Sequence, residues 1–220
     1  LLKNKFLSKY ETNVSELKIG DKDFRFFVPR TIDRFINSKK LMNKFPLWAR
    51  IWEASFILAD YVARMPLEPE KSFLEIGGGM GIVSIVAASF GHDITMTEYD
   101  KNALNFAKAN AELNLSSASQ NLKIMDLDWH KPEIDRQFDY IIGSEVIYKE
   151  ESFTSLLKLF MKYLKPGGEV ILSETVRKTS MEFFKQAGKF FDIRAQKKRL
   201  RTEDEETVII LAIMKVKDQP

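Results

Sequence analysis

The sequence predicts a doubly wound α/β fold, a mostly parallel sheet with helices on both faces and one antiparallel strand. Three observations predict it. From residue 72 onward, short apolar runs alternate with segments whose apolar residues recur at helical spacing. The first run, Ser72–Ile76, breaks into the turn Gly77-Gly78-Gly79-Met80-Gly81, which opens directly into a helix. Two β-rich runs, Phe191–Leu200 and Thr207–Val216, end the chain with no helix between them, so they should pair antiparallel.

Each element has a local reason. Residues 14–28 read as a hairpin, because Ile19-Gly20-Asp21-Lys22-Asp23 is a turn and Phe24-Arg25-Phe26-Phe27-Val28 is strand-like. The segment from Leu47 to Val62 carries helical spacing and is closed by Pro66 and Pro69. Strand 72–76 leads to a helix near 81–90, and strand 93–98 to a helix near 101–113. Strands at 122–126 and 138–144 follow, then a helix near 151–164. The turn Lys165-Pro166-Gly167-Gly168 precedes strand 169–174, and a helix covers 180–187. We divide the chain into an extension at 1–45 with the hairpin and a main domain at 46–220.

Composition narrows the function classes. Forty-five per cent of the 220 residues are hydrophobic, enough for a sizeable core. No run of about eighteen apolar residues exists, so no membrane span is expected. The N-terminal Leu1-Leu2-Lys3-Asn4-Lys5-Phe6 lacks the continuous apolar stretch of a secretory signal. Cysteine is absent, which excludes disulfides, zinc–thiolate sites and a cysteine nucleophile. A cytoplasmic location is the expectation. The net charge of +3 makes no case for nucleic acid. The basic run 197–201 is followed at once by Glu203, Asp204, Glu205 and Glu206, as in a solvated hairpin tip.

The glycine turn carries the chemistry. A strand, a glycine turn and a helix form a cradle for a nucleotide-type cofactor, because glycine lets a ligand approach the main chain closely. The dinucleotide pattern GxGxxG would need glycine at position 82, which is Ile82. The acid Glu75 beside the turn would repel a pyrophosphate but can accept from an ammonium group or an ordered water. S-adenosylmethionine, with an ammonium, a sulfonium and no phosphate, satisfies both constraints. Gly77, Gly78 and Gly79 would cradle it. Glu98, about twenty residues past the first glycine, would take the ribose hydroxyls. Asp128 and Trp129 suit an adenine, one accepting from its amine and the other stacking; Trp129 also suits a core position. Asp100 reads as a helix cap. Ser144, Glu145 and Tyr148 follow the strand at 138–144, where a ligand lying over the turn would be met. No metal-ligand cluster is expected, and His92 and His130 read as loop histidines.

Four features occur in order: Trp52-Glu53-Ala54, Glu75-x-Gly77-x-Gly79-x-Gly81, Leu127-Asp128-Trp129 and Glu145-x-x-Tyr148. The chain thereby resembles the seven-β-strand protein-lysine methyltransferases, methyltransferase family 16, over roughly residues 46–176. The resemblance implies a Rossmann-like seven-stranded sheet and an S-adenosylmethionine-dependent N-methyltransferase acting on a protein lysine. It implies Trp52 beside the cofactor, and Glu145 and Tyr148 around the methyl-transfer site. Tyr148 would wall the lysine channel, and Glu145 would steer the ammonium. Two alternatives stay open: a small-molecule amine N-methyltransferase, and a scaffold that binds cofactor without turnover. Enzymes with (Asn/Asp)-Pro-Pro-(Tyr/Phe) after the fourth strand fit less well, since this chain reads Ser144-Glu145-Val146-Ile147-Tyr148 there.

Overall fold

A computed structural model describes residues 2–36, 45–116, 119–201 and 206–217. Among these, helix α1 (Leu2–Lys9) precedes a hairpin of β1 (Thr12–Ile19) and β2 (Lys22–Pro29). Helix α2 (Glu53–Ala63) leads into β3 (Ser72–Ile76), α3 (Ile82–Ser89), β4 (Asp93–Glu98), α4 (Lys101–Asn114) and β5 (Leu122–Asp126). Then follow β6 (Phe138–Ser144), α5 (Phe153–Tyr163), β7 (Leu164–Thr175), α6 (Lys178–Ala187), β8 (Phe191–Arg201) and β9 (Glu206–Val216).

Seven of these strands form one sheet in the order β5-β4-β3-β6-β7-β9-β8. Strands β3 to β7 are parallel to one another, and β9 runs antiparallel to both β7 and β8. The expected terminal hairpin is therefore present, with its second strand inserted beside β7. Residues 202–205 of its charged tip lie outside the described residues. The chain winds from β3 outward in one direction, then returns to β6 and winds in the other. That reversal leaves a crevice above the carboxyl ends of β3 and β6, where ligands of such sheets bind.

Both faces of the sheet are covered. On one face α2, α3 and α4 pack in a cluster containing Leu58, Val62, Ile85, Val86 and Phe106. On the other, α5 and α6 bury Leu156, Phe160 and Phe183 in a second cluster. All five residues of β3 are buried, as a strand covered on two sides requires. Such a core fixes the register of the loops that build the crevice.

Three elements differ from the sequence expectation. The segment at 47–62 is not one helix. A 3-10 turn covers Leu47–Ala49, Arg50 and Trp52 are extended, and α2 begins only at Glu53. The Trp52 indole Nε1 donates to the Leu47 carbonyl at 2.8 Å and closes this loop, so a side chain overrides the helical spacing. Strand β7 begins at Leu164 and takes in the expected turn at 165–168 as a bulge. Phe138 pairs Leu164 but Tyr140 pairs Glu169. The short polar α1 has no apolar periodicity of its own and is held by tertiary contacts. Phe6 packs edge-on against Phe106 of α4 at 4.8 Å between ring centroids. The proposed division near residue 45 adjoins residues 37–44, which lie outside the described residues.

Candidate active site

Backbone geometry builds the floor of the crevice. Gly77, Gly79 and Gly81 have φ of 60°, 55° and 86°, in the left-handed region that glycine enters without strain. A Cβ on Gly77 would stand 3.0 Å from Val146 Cγ1 and 3.2 Å from the Trp129 ring. One on Gly78 would stand 2.7 Å from Met96 Cγ. The turn is pinned from below, since the Gly78 N–H donates to the Thr97 carbonyl at 2.9 Å.

Two carboxylates hold this turn. Glu98, at the end of β4, accepts from the N–H groups of Gly79 at 2.9 Å, Tyr99 at 2.7 Å and Asp100 at 2.9 Å. Burial pushes its carboxyl upward, and these three donors oppose the shift. A carboxylate offers about four acceptor positions, so capacity remains for a ligand hydroxyl. Glu75 is 2 % exposed and turned toward α3, where the Ser84 hydroxyl and backbone N–H donate to it. Gly81 caps α3 without a side chain, and Glu75 replaces the missing cap. Burial pushes the Glu75 carboxyl up to about 7. Glu75, expected to accept from an ammonium group or an ordered water, still borders the crevice, but the partners it has in this structure are the Ser84 hydroxyl and N–H. Asp100 caps α4 as expected, accepting from Asn102 at 2.7 Å and Ala103 at 3.2 Å.

The opposite wall comes from β6 and β7. Ser144 ends β6, with its hydroxyl 3.1 Å from that of Ser55 on α2. Glu145 has φ of 54°, the one positive value on a non-glycine among the described residues. Such strain persists only where surroundings over-determine it, and here they do. Its N–H donates to the Ser173 carbonyl at 3.0 Å. Its carboxylate takes the Thr175 N–H at 2.8 Å, the Thr175 hydroxyl and the Arg177 guanidinium. The side chain is 8 % exposed. Glu174, fully buried, returns the favour by accepting from Val146 N–H at 2.8 Å and Ile147 N–H at 3.2 Å. Arg177 Nη2 lies 3.7 Å from its second oxygen, which has no hydrogen-bond partner. Burial and the nearby Glu145 push the Glu174 carboxyl well above the ordinary range. The Glu145 carboxylate, expected to meet an incoming ammonium, is therefore already engaged by Arg177.

All eleven residues singled out in the sequence line one crevice of about 740 Å³: Trp52, Glu75, Gly77, Gly78, Gly79, Glu98, Asp128, Trp129, Ser144, Glu145 and Tyr148. Asp128 accepts from the His130 N–H at 2.9 Å, which bends the loop and sets Trp129 against the glycine turn. Tyr148 stands at the mouth, 38 % exposed, with its ring 6.3 Å from that of Trp129. Burial first, and then the Glu98 charge, push its phenol upward, so it stays protonated at neutral pH. Sequence reasoning missed Phe35, Trp48 and Arg50, which also line the crevice. The Trp48 backbone and Cβ stand against Gly79, and its ring meets Phe35 edge-on at 4.8 Å. The density of aromatic residues before α2 was the available signal. Glu174 and Arg177 were missed as well, and only tertiary pairing reveals them.

A family model described as lysine methyltransferase matches residues 43–190. The chain belongs to this lysine methyltransferase family. Its curated relatives include the protein N-lysine methyltransferase METTL21A of Xenopus tropicalis, 30 % identical over 149 residues, covering 66 % of this chain and 69 % of the relative. The mouse METTL21A is 34 % identical over 134 residues, covering 59 % and 61 %. EEF1A lysine methyltransferase 3 of Xenopus tropicalis is 26 % identical over 141 residues, covering 62 % of each. Among solved structures, a putative SAM-dependent methyltransferase from Streptococcus mutans shares the fold at a TM-score of 0.62 and 14 % identity, covering 91 % of this chain and 55 % of that one. A precorrin-6y C5,15-methyltransferase from Geobacter metallireducens does so at 0.57 and 17 %, covering 82 % and 94 %.

The protein is an S-adenosylmethionine-dependent methyltransferase, and its residues fit that cofactor. A crevice of about 740 Å³ lies in the ordinary range for a small-molecule site. The left-handed glycines let the turn pack closely against Val146, Trp129 and Trp48, so that its main chain forms the floor of the crevice. Glu98 retains acceptor capacity, and Trp129 offers an aromatic wall.

Proposed function

We propose that this methyltransferase acts on the side-chain amine of a lysine in a protein. The observation that carries the reading is the loop 144–148. It crosses the crevice opposite the glycine turn and sets Tyr148, half-buried against Trp129, at an open mouth. A long flexible amine can enter between two aromatic walls and be held there by cation–π attraction. Relatives named as protein N-lysine and EEF1A lysine methyltransferases support the same acceptor.

Bound S-adenosylmethionine supplies an activated methyl on a sulfonium, so the hard chemistry is the cofactor's. The chain's residues bind, align and desolvate. Gly77, Gly78, Gly79, Glu98, Asp128, Trp129, Trp52 and Ser144 would hold the cofactor. Tyr148 would align the amine, which must reach within about 3 Å of the methyl carbon, in line. A lysine of ordinary pKa about 10.4 must arrive or become neutral. The rings hold the arriving ammonium by cation–π attraction, and water at the open mouth can take its proton before transfer. Tyr148 is no base, because its phenol is held protonated. Glu145 acts from behind: paired with Arg177 and Thr175, it fixes the loop that carries Tyr148.

The test is incubation of the purified chain with labelled S-adenosylmethionine and a lysate of the source cell, followed by mass spectrometry. Label on a lysine of a discrete protein is expected. Label only in small metabolites would replace this reading with amine N-methylation. No label in any fraction would leave a cofactor-binding scaffold.

A further inference from the structure

The N-terminal hairpin and the glycine turn share one side chain. Asn110, on α4, is fully buried. Its Oδ1 accepts from the Phe27 N–H at 2.7 Å, while Nδ2 donates to the Phe27 carbonyl at 3.2 Å and the Met80 carbonyl at 3.1 Å. One helical turn later, Asn114 repeats the pattern on Arg25. It accepts from the N–H at 2.9 Å and donates to the carbonyl at 2.7 Å. The spacing explains the match. Helix residues four apart rise about 6 Å, and strand residues two apart rise about 6.6 Å. Two amides on α4 thus imitate a neighbouring strand and cover the edge of β2 that β1 leaves open. Of the two, Asn110 alone reaches onward to the turn.

Met80 precedes Gly81, the left-handed cap of α3, and follows Gly79, whose N–H is held by Glu98. The turn is therefore gripped from two sides: Glu98 at the N–H of residue 79, and Asn110 at the carbonyl of residue 80. Without the amide, that buried carbonyl would lose its hydrogen bond, and the peptide would be free to turn with the permissive Gly81. We propose that Asn110 is a positioning residue of the cofactor site, through which docking of the β1–β2 hairpin on α4 sets the glycine turn and hence the affinity for S-adenosylmethionine. It acts through the turn, since Asn110 is not among the residues lining the crevice. The proposal rests on the cofactor and is independent of the acceptor.

Coupling of this kind is reciprocal, so the cofactor must also tighten the hairpin. The experiment titrates S-adenosylmethionine calorimetrically into wild type, Asn110→Leu and Asn114→Leu. It also follows amide hydrogen exchange at Arg25 and Phe27 in the full chain with and without saturating cofactor. Asn110→Leu should lose tenfold or more in affinity. Asn114→Leu, which loosens the hairpin without touching Met80, should lose a few-fold. In wild type the cofactor should slow exchange at Phe27 severalfold more than at core amides of α5, an excess that general stabilisation of the fold by a bound ligand would not produce. Wild-type affinity in a folded Asn110→Leu, or exchange at Phe27 that the cofactor slows no more than exchange in α5, overturns the proposal. If Asn110→Leu does not fold, the exchange measurement on wild type decides alone. A wild type that binds no S-adenosylmethionine overturns the cofactor reading together with it.

Discussion

On the β3–β4 side, the wall of the crevice is mostly backbone: the turn Gly77-Gly78-Gly79, held by Glu98 and the Thr97 carbonyl. On the β6–β7 side it is made of side chains, carried on a loop that Glu145, Glu174 and Arg177 hold in a strained conformation. The two sides meet where Gly77 touches Val146 and Trp129. The difference teaches a division of labour. A cofactor common to many acceptors suits a fixed backbone cradle, whereas a wall of side chains can be re-specified by substitution without rebuilding the sheet.

The comparison breaks hardest at Arg177. Its guanidinium is the cation between two carboxylates, Glu145 and Glu174, that are 8 % and 0 % exposed. Arg177→Ala leaves both buried without it. Removing one partner of a buried ion pair costs roughly 3–5 kcal/mol, and the lower end is expected because the Arg177 side chain is 39 % exposed. Urea unfolding should register this loss. Methyl transfer should fall further than cofactor affinity in the fraction that remains folded, because the loop and not the cradle is released. Equal losses in both would mean the two sides are one cooperative unit.

The same contrast decides what could be read from the sequence. The cradle was legible because Gly77, Gly79 and Gly81 announce left-handed backbone, and a strand and a helix flank them. The succession of strands and helices along the chain and the terminal hairpin were legible because each apolar run is short and bounded. Tyr148 and Glu145 were located, but the Glu145 partners were not. Arg177 lies 32 positions away, and nothing local to either residue signals the pairing. The loop of Trp48 and Trp52 was hidden for a different reason. Its apolar spacing is helical, and a single indole-to-carbonyl bond overrides it. Asn110 and Asn114 look like ordinary polar helix residues until the hairpin is laid against them.

The cradle can be probed through Glu75, whose carboxyl is pushed by burial from the ordinary 4.5 to about 7. Below the unfolded value the group is protonated in both states and costs nothing. As pH rises from about 4.5 to about 7 the unfolded chain releases its proton first, so stability falls across that window and levels off above it. Glu75→Gln removes this dependence while keeping an acceptor for Ser84. The stability of the variant relative to wild type should therefore climb with pH, by at most about 3 kcal/mol. Glu174 is also pushed upward, but it slopes alike in both proteins and cancels in the difference, whereas the repulsion between Glu98 and Glu75 is removed in the variant and belongs to the measured effect. Denaturant midpoints at a series of pH values give the curve. Parallel curves would show that Glu75 carries no buried charge to titrate.

The smallest expected effect lies at Tyr148, and it separates shape from chemistry on the acceptor side. Tyr148→Ala removes the wall facing Trp129 and widens the mouth. A misplacement of about 1 Å at the reacting amine can cost on the order of a hundredfold in rate, so transfer should fall by about that much while cofactor affinity holds. Tyr148→Phe keeps the ring and loses only the hydroxyl. That phenol is kept protonated by burial and by the Glu98 charge, so it has no proton to accept. Transfer in Tyr148→Phe should stay within about tenfold of wild type at neutral pH, the range expected for losing one neutral hydrogen bond. The measurement is single-turnover methyl transfer and cofactor titration on the same preparations. A loss in Tyr148→Phe as large as that in Tyr148→Ala would assign the hydroxyl a direct part in the reaction, and the acceptor wall would then be more than a shape.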